Sequence, residues 1–139
     1  MKCVAAIVLW GTFLIAMFGY ALGGLIAFQL IQQGKPAAAI GIYKAALWIY
    51  PWNAPNRNDL GLTLLESGDV DGAIVELREA VALAAWVPKY HNHLGVALLR
   101  KGDLVGAIDQ FRQAIRLDPH WQEPARNLER AISQGQNKA

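Results

Sequence analysis

The sequence of 139 residues has a single cysteine, Cys3, and no charged residue from there to Gln33. One cysteine excludes an internal disulfide. The formal net charge is only +2, and acidic and basic side chains alternate, so no strongly basic surface for nucleic acid is expected. Hydrophobic residues make up 54% of the chain and charged ones 17%, with nearly all the charge after Arg57. This uneven distribution predicts an anchored domain.

Motifs for catalysis and for metal or cofactor binding are also missing. There is no phosphate-binding glycine loop, no nucleophile elbow and no pair of carboxylates in an apolar segment. His91 and His93 are two residues apart and would point in different directions on a helix, without cysteines or carboxylates beside them. We therefore expect no enzymatic activity, metal, cofactor, small-molecule substrate or nucleic-acid partner.

The uncharged N-terminal segment is long enough to cross a membrane. A spanning helix needs about 20 apolar residues, and Val4 to Leu22 supplies 19. We predict a transmembrane anchor over residues 1–31, in a single-pass protein of a bacterial inner membrane. The lysines on the two sides nearly balance, with the N-terminus inside slightly favoured. The alternative is a signal peptide cleaved at Ala21-Leu22-Gly23, but the apolar run exceeds the usual length of about 7 to 15 residues.

Small residues recur every fourth position within this segment, at Gly19, Gly23 and Ala27. Such a stripe lets a second helix approach closely in lipid, where packing drives association. We predict a helix-packing face at these three positions. The alternative is that small residues are simply common in membrane helices.

An internal repeat follows, and its two clearest copies align without gaps. The segment Ser67–Asp71 aligns with Lys101–Val105 at an offset of 34. Gly68 and Gly102 suit the left-handed position that ends a helix, and Asp69 and Asp103 suit the N-cap of the next. Apolar positions at helical spacing recur in both copies: Leu60/Leu94, Leu64/Leu98, Ile74/Ile108, Leu77/Phe111 and Leu83/Leu117. The pattern predicts repeated pairs of helices.

These residues resemble the tetratricopeptide repeat family, whose 34-residue unit is a helix–turn–helix. The residues that match the family pattern are Leu60-Gly61 and Leu94-Gly95, Ala73 and Ala107, Leu77 and Phe111, Ala80 and Ala114, and Pro119. The sequence departs from the pattern at the first aromatic position, which holds Arg57 in one copy and His91 in the next. It implies an all-α fold, with the N-terminal transmembrane helix running into a three-repeat α-solenoid.

The offset also places the boundaries of this solenoid. One period before the first clear copy, Ile26, Ala27, Gly34 and Ala39 fill the signature positions, so the first repeat overlaps the anchor. We predict a solenoid over residues 20–133 and a disordered tail over 134–139. Its parts are three repeats, 20–53, 54–87 and 88–121, and a charged capping helix, 122–133.

The family resemblance implies a concave groove lined by the first helix of each repeat. Its predicted lining residues are Asn58, Leu62, Leu65, Asn92, Val96, Leu99 and Arg100. The alternative is that several of the leucines are core residues between repeats. Some family members clamp a peptide carboxylate with basic residues on these helices, but Asp59 and His93 occupy corresponding positions, so no such clamp is predicted.

Three aromatic residues close the second helix of the first repeat, at Trp48, Tyr50 and Trp52. Tryptophan and tyrosine favour the membrane–water interface, so we predict an interfacial aromatic patch, although a hydrophobic core would account for part of the segment. Two functions remain open. One is a membrane-anchored scaffold within a larger membrane protein complex, and the other is a peptide-binding adaptor or co-chaperone that uses the groove for client proteins.

Overall fold

The computed structural model describes residues 23–136, and this part of the chain forms seven helices without a strand. Most of the predicted anchor, including Gly19, lies outside the described residues. Of the helices in the described part, none is both long and apolar enough to cross a membrane. The helices are α1 over 23–32, α2 Pro36–Ile49, α3 Ala54–Glu66, α4 Val70–Leu83, α5 Pro88–Lys101, α6 Leu104–Leu117 and α7 Gln122–Gln136.

The turns within repeats are formed by the glycines that the repeat period identified. Gly34, Gly68 and Gly102 have φ values of 70°, 90° and 86°, in the region that disfavours other residues. After two of these turns, the carboxylates of Asp69 and Asp103 accept hydrogen bonds from the backbone three residues later, and thereby cap α4 and α6. The predicted helix ends and N-caps are therefore confirmed.

Each hairpin is held by a small residue on its first helix and a large one on its second. Gly61 contacts Leu77, and Gly95 contacts Phe111, so closely that a Cβ on either glycine would come within 2.6 Å of the partner side chain. Alanines at 39, 73 and 107 are fully buried in the same core. The repeated small residues thus serve close packing between helices.

The alternation of helix directions gives the solenoid two distinct edges. Consecutive helices are joined by only two to four residues, so neighbours run antiparallel. The glycine turns at 33–35, 67–69 and 102–103 lie along one edge, here called the turn edge. The connections at 50–53, 84–87 and 118–121 lie along the opposite one, here called the loop edge.

The last helix is longer than the sequence indicated. The predicted capping helix ends at Ser133 and the predicted disordered tail begins at residue 134, but α7 continues to Gln136. Gly135 lies against the start of α6, where a Cβ on it would be 3.6 Å from Leu104 Cδ1. This contact holds the last turn in place, and the period alone could not reveal it.

Candidate functional site

The predicted groove residues divide into a buried group and an accessible group. Asn58, Leu65 and Asn92 are at most 3% exposed, so their side chains belong to the packing between helices. Leu62, Val96 and Leu99 are half-buried, and Arg100 is exposed. Of the predicted groove residues, only Leu62, Val96, Leu99 and Arg100 are therefore accessible, and Val96 and Leu99 also pack against the core.

Buried asparagines connect the first helices of successive repeats. The Nδ1 of His93 donates a hydrogen bond to Oδ1 of Asn58 at 2.7 Å. One repeat later, Asn127 Nδ2 donates to Asn92 Oδ1 at 3.0 Å, and Asn92 Nδ2 donates to Glu123 at 3.0 Å. These partners on neighbouring repeats thus satisfy amides that packing removes from water.

Arg100 has a structural contact of the same kind. Its Nη1 donates to the backbone carbonyl of Leu65 at 3.0 Å, on the preceding repeat. That carbonyl lies in the last turn of α3, where it also accepts from the backbone N–H of Gly68 at 3.3 Å. Arg100 therefore stabilises the end of the preceding first helix, in addition to lying at the rim of the predicted groove.

Arg57 and His91 replace the first aromatic of the repeat and make equivalent contacts. Arg57 Nε donates to the carbonyl of Pro51 at 3.0 Å, and its Nη1 pairs with Glu76 at 2.8 Å. One period on, His91 Nε2 donates to the carbonyl of Ala85 at 2.9 Å. Its Nδ1 lies 2.8 Å from the side-chain oxygen of Gln110. These polar groups join each loop to the helices that follow it, and the pairing of Glu76 was not predicted.

His93, on α5, has a perturbed pKa. Burial lowers the pKa of its imidazole below the usual value and Lys89 lowers it further, against the opposing effects of Glu123 and Asp59. The unfolded chain therefore binds a proton that the folded chain does not, as pH falls through about 6.5. The contribution that the neutral imidazole of His93 makes to the free energy of unfolding is therefore present above that pH and is lost below it.

We expect the free energy of unfolding to fall between pH 7.5 and pH 5.5, and to fall less in His93→Gln. Urea unfolding monitored by circular dichroism at the two pH values measures this difference. His120→Gln is the matched control, because His120 is exposed, and it should keep the wild-type pH dependence. Parallel behaviour of His93→Gln and the wild type would contradict the assignment.

Exposed apolar surface is concentrated in the first repeat. Six of the eleven large hydrophobic side chains that are exposed in the described part lie between residues 25 and 52. They are Leu25, Ile26, Phe28, Trp48, Ile49 and Trp52. The predicted aromatic patch lies within this surface, where Trp48 is 87% exposed and Trp52 79%, while Tyr50 is half-buried. We call these six side chains and Tyr50 the first-repeat surface.

The outer face of α2 differs from the equivalent faces of later repeats. It has a single charge, Lys44, beside the exposed Ala45 and Trp48. On α6, the positions equivalent to Gly41 and Trp48 hold Asp109 and Arg116, both exposed, in addition to Arg112 at the position of Lys44. The first repeat therefore lacks the solvated face that a terminal repeat needs for solubility.

The outer side of α1 lacks the cover that later first helices have. Ile26 is 49% exposed, whereas its equivalents Leu60 and Leu94 are at most 4% exposed under the preceding repeat. A shallow hollow of about 320 Å³ lies on this side. It is lined by Leu25, Ile26, Gln29, Leu30 and Gln33.

Part of the predicted glycine stripe is occupied within the chain. Ala27 is fully buried in the core with Ala39 and Tyr43 of the same repeat. Gly23 faces α2, where a Cβ on it would be 3.9 Å from Ile42 Cγ2. The described positions of the stripe therefore contact α2. Within residues 23–136, no three histidine, cysteine or acidic side chains are arranged to hold a metal ion.

Comparison with known proteins finds a family match over part of the chain. Residues 58–120 match the family model of the tetratricopeptide repeat. No curated protein matches the chain. Among solved structures, the first tetratricopeptide repeat domain of Spaghetti (RPAP3), bound to the HSP90 peptide SRMEEVD, is 19% identical with a TM-score of 0.79. The match covers 83% of this chain and 91% of that one.

Two further structures have the same architecture. The tetratricopeptide repeat domain of Sgt2 from Aspergillus fumigatus is 19% identical, with a TM-score of 0.81 over 86% of this chain and 82% of that one. A mutant O-GlcNAc transferase from Thermobaculum terrenum is 26% identical with a TM-score of 0.78, over 84% of this chain but 22% of the transferase. These likenesses establish an all-α solenoid of the tetratricopeptide type.

Proposed function

We propose that this chain, whose residues 58–120 are tetratricopeptide repeats, is a non-catalytic scaffold and an accessory or assembly subunit of a larger membrane protein complex. The observation that carries this proposal is the first-repeat surface. Its side chains are as much as 87% exposed, and the adjoining face of α2 has one charge. Exposed apolar side chains concentrated in one repeat of a folded domain are typical of an interaction site.

The residues before α1 support attachment to a membrane. From Cys3 to Leu22 the chain has no charge, and it joins α1 directly at Gly23. The apolar run that begins at Val4 is long enough for a tilted or straight span. In this proposal the span and the first-repeat surface are adjacent, so a membrane-embedded partner would contact both.

Purification of the full-length chain in a mild detergent tests this function. We expect it to be retained in the membrane fraction after alkaline extraction, and to purify with other subunits in fixed stoichiometry. Replacing both Trp48 and Ile49 by serine should remove those subunits. Replacing the exposed Val75 and Val105 of the later repeats by serine is the matched control and should retain them. Recovery of a lone monomer from the wild-type membrane would contradict the proposal.

The groove supports a second candidate function, a peptide-binding adaptor or co-chaperone for client proteins. The predicted floor residues Leu62, Val96 and Leu99 are half-buried, and Lys89 and Arg100 on α5 are exposed. Such a groove suits an amphipathic helix or an extended peptide, and the Spaghetti domain of the same fold has a peptide bound. In this case Val96→Glu should abolish client binding, whereas the Trp48 and Ile49 variant should not.

A further inference from the structure

The described part of α1 points towards the loop edge. The end of α2, at Ile49, lies on this edge because the connection 50–53 belongs to it. Since α1 runs antiparallel to α2 across the turn at Gly34, the described part of α1 leads from the turn edge towards the loop edge, and its first described residue, Gly23, lies beside Ile42. Of the two edges, the loop edge is therefore the one towards which α1 leads from Gly34 to Gly23.

The same edge carries the most exposed tryptophans of the described chain. Trp48 lies in the last turn of α2 and is 87% exposed. Trp52 and Trp86 occupy equivalent positions, one repeat period apart, in two successive connections, and are 79% and 73% exposed. Three large rings thus extend along the loop edge from the first repeat into the second.

This aromatic character decreases with distance from Gly23. The first repeat has two of the three rings and the second has one. In the third repeat, the positions equivalent to Trp48 and Trp52 hold Arg116 and His120, both exposed. A protein surface that touches lipid only near its point of attachment would have this distribution.

We propose that the loop edge of the first two repeats lies on the lipid surface, with Trp52 and Trp86 at the membrane–water interface and Trp48 beside them, where this edge meets the membrane-embedded partner. Tryptophan favours this region because its ring is apolar and its indole N–H can still meet water or headgroups. This placement rests on the proposed membrane attachment. It directs the turn edge, with Gly34, Gly68 and Gly102, towards water, and stands the helices upright on the bilayer.

Two cysteine positions of equal exposure on opposite edges test this orientation. Trp86 is 73% exposed on the loop edge, and Val105 is 74% exposed at the start of α6 on the turn edge. In a full-length Cys3→Ser background, Trp86→Cys and Val105→Cys would each carry a fluorescent probe. The chains would be reconstituted into vesicles of phosphatidylcholine and phosphatidylglycerol containing a lipid with a nitroxide near its headgroup.

We expect the probe at position 86 to be quenched severalfold more than the probe at position 105. Equal quenching at the two positions, in chains that resist alkaline extraction, would overturn the orientation and leave the attachment intact. Extraction of both chains by alkali would overturn the attachment and the orientation together. A probe at position 86 that is unquenched in vesicles, and shielded only in a purified complex, would overturn the lipid contact and assign this edge to a protein partner. Circular dichroism would establish that both variants are folded.

Discussion

Asn92→Ala is expected to destabilise the solenoid by about 2–3 kcal/mol, because it leaves a buried donor of the next repeat without its acceptor. Asn92 is fully buried, and its Oδ1 accepts from Asn127 Nδ2 at 3.0 Å. Asn127 is itself only 9% exposed, so water cannot readily replace the lost partner. Urea unfolding at pH 7.5, monitored by circular dichroism, measures the change.

A double-mutant cycle separates this hydrogen bond from simple loss of volume. Asn127→Ala should also destabilise, but the double variant should lose less than the sum of the two, because the unsatisfied donor is then absent as well. A cost of Asn92→Ala below about 0.5 kcal/mol, the range of ordinary surface changes, would contradict its role as a connection between α5 and α7.

Gly95→Ala is the second substitution with a large expected effect. A Cβ at this position would lie 2.5 Å from Cε1 and 2.7 Å from Cδ1 of Phe111, whose side chain is fully buried and has no room to move. Overpacking of this kind costs about 1–3 kcal/mol, and the better helix propensity of alanine offsets up to about 1 kcal/mol. We expect a net loss of about 1–2 kcal/mol and a fall in Tm of roughly 5 °C.

Gly41→Ala is the matched control, since Gly41 also lies inside a helix but nothing is within 4 Å of its added Cβ. There the same substitution should stabilise by about 0.4–1 kcal/mol. Opposite signs for the two glycines would show that Gly95 is required for contact with Phe111. If Gly95→Ala proved neutral or stabilising, the close packing of α5 against α6 would be contradicted.

The repeat framework could be predicted from the sequence because its determinants are local. Gly68 and Gly102 end helices through a backbone conformation that glycine favours, and Asp69 and Asp103 cap the next helices three residues on. These features recur at a fixed offset and require no knowledge of tertiary contacts.

The contacts between repeats could not be predicted in the same way. The sequence assigns Asn58 and Asn92 to the groove, but in the structure they bond to His93 and Asn127 on neighbouring helices. Each of these partners is 35 residues away, one more than the repeat period, so the period does not reveal the pairing. The rotation of each first helix about its axis decides whether a side chain points into the groove or towards the first helix of the neighbouring repeat. The groove assignments of Leu62, Val96 and Leu99 stay predictions, as does the transmembrane anchor, most of which precedes the described residues.

The exposure of the apolar side chains could be read only from the structure. The sequence places Trp48 and Trp52 close together, but only the structure shows that Trp86 lies on the same edge with 73% of its surface exposed. It also shows that Ile26 is uncovered where Leu60 and Leu94 are buried. Within residues 23–136, equivalent positions therefore have unequal exposure, and the first repeat has the more apolar outer face.

The central claim is that the first-repeat surface, rather than the groove, holds the protein in its complex. The most direct measurement compares the full-length Trp48→Ser/Ile49→Ser and Val96→Glu variants by quantitative mass spectrometry after purification in a mild detergent. We predict that the first variant loses its co-purifying subunits by tenfold or more, while the second retains them at the wild-type ratio. Loss of those subunits from Val96→Glu, with full retention by Trp48→Ser/Ile49→Ser, would contradict the claim.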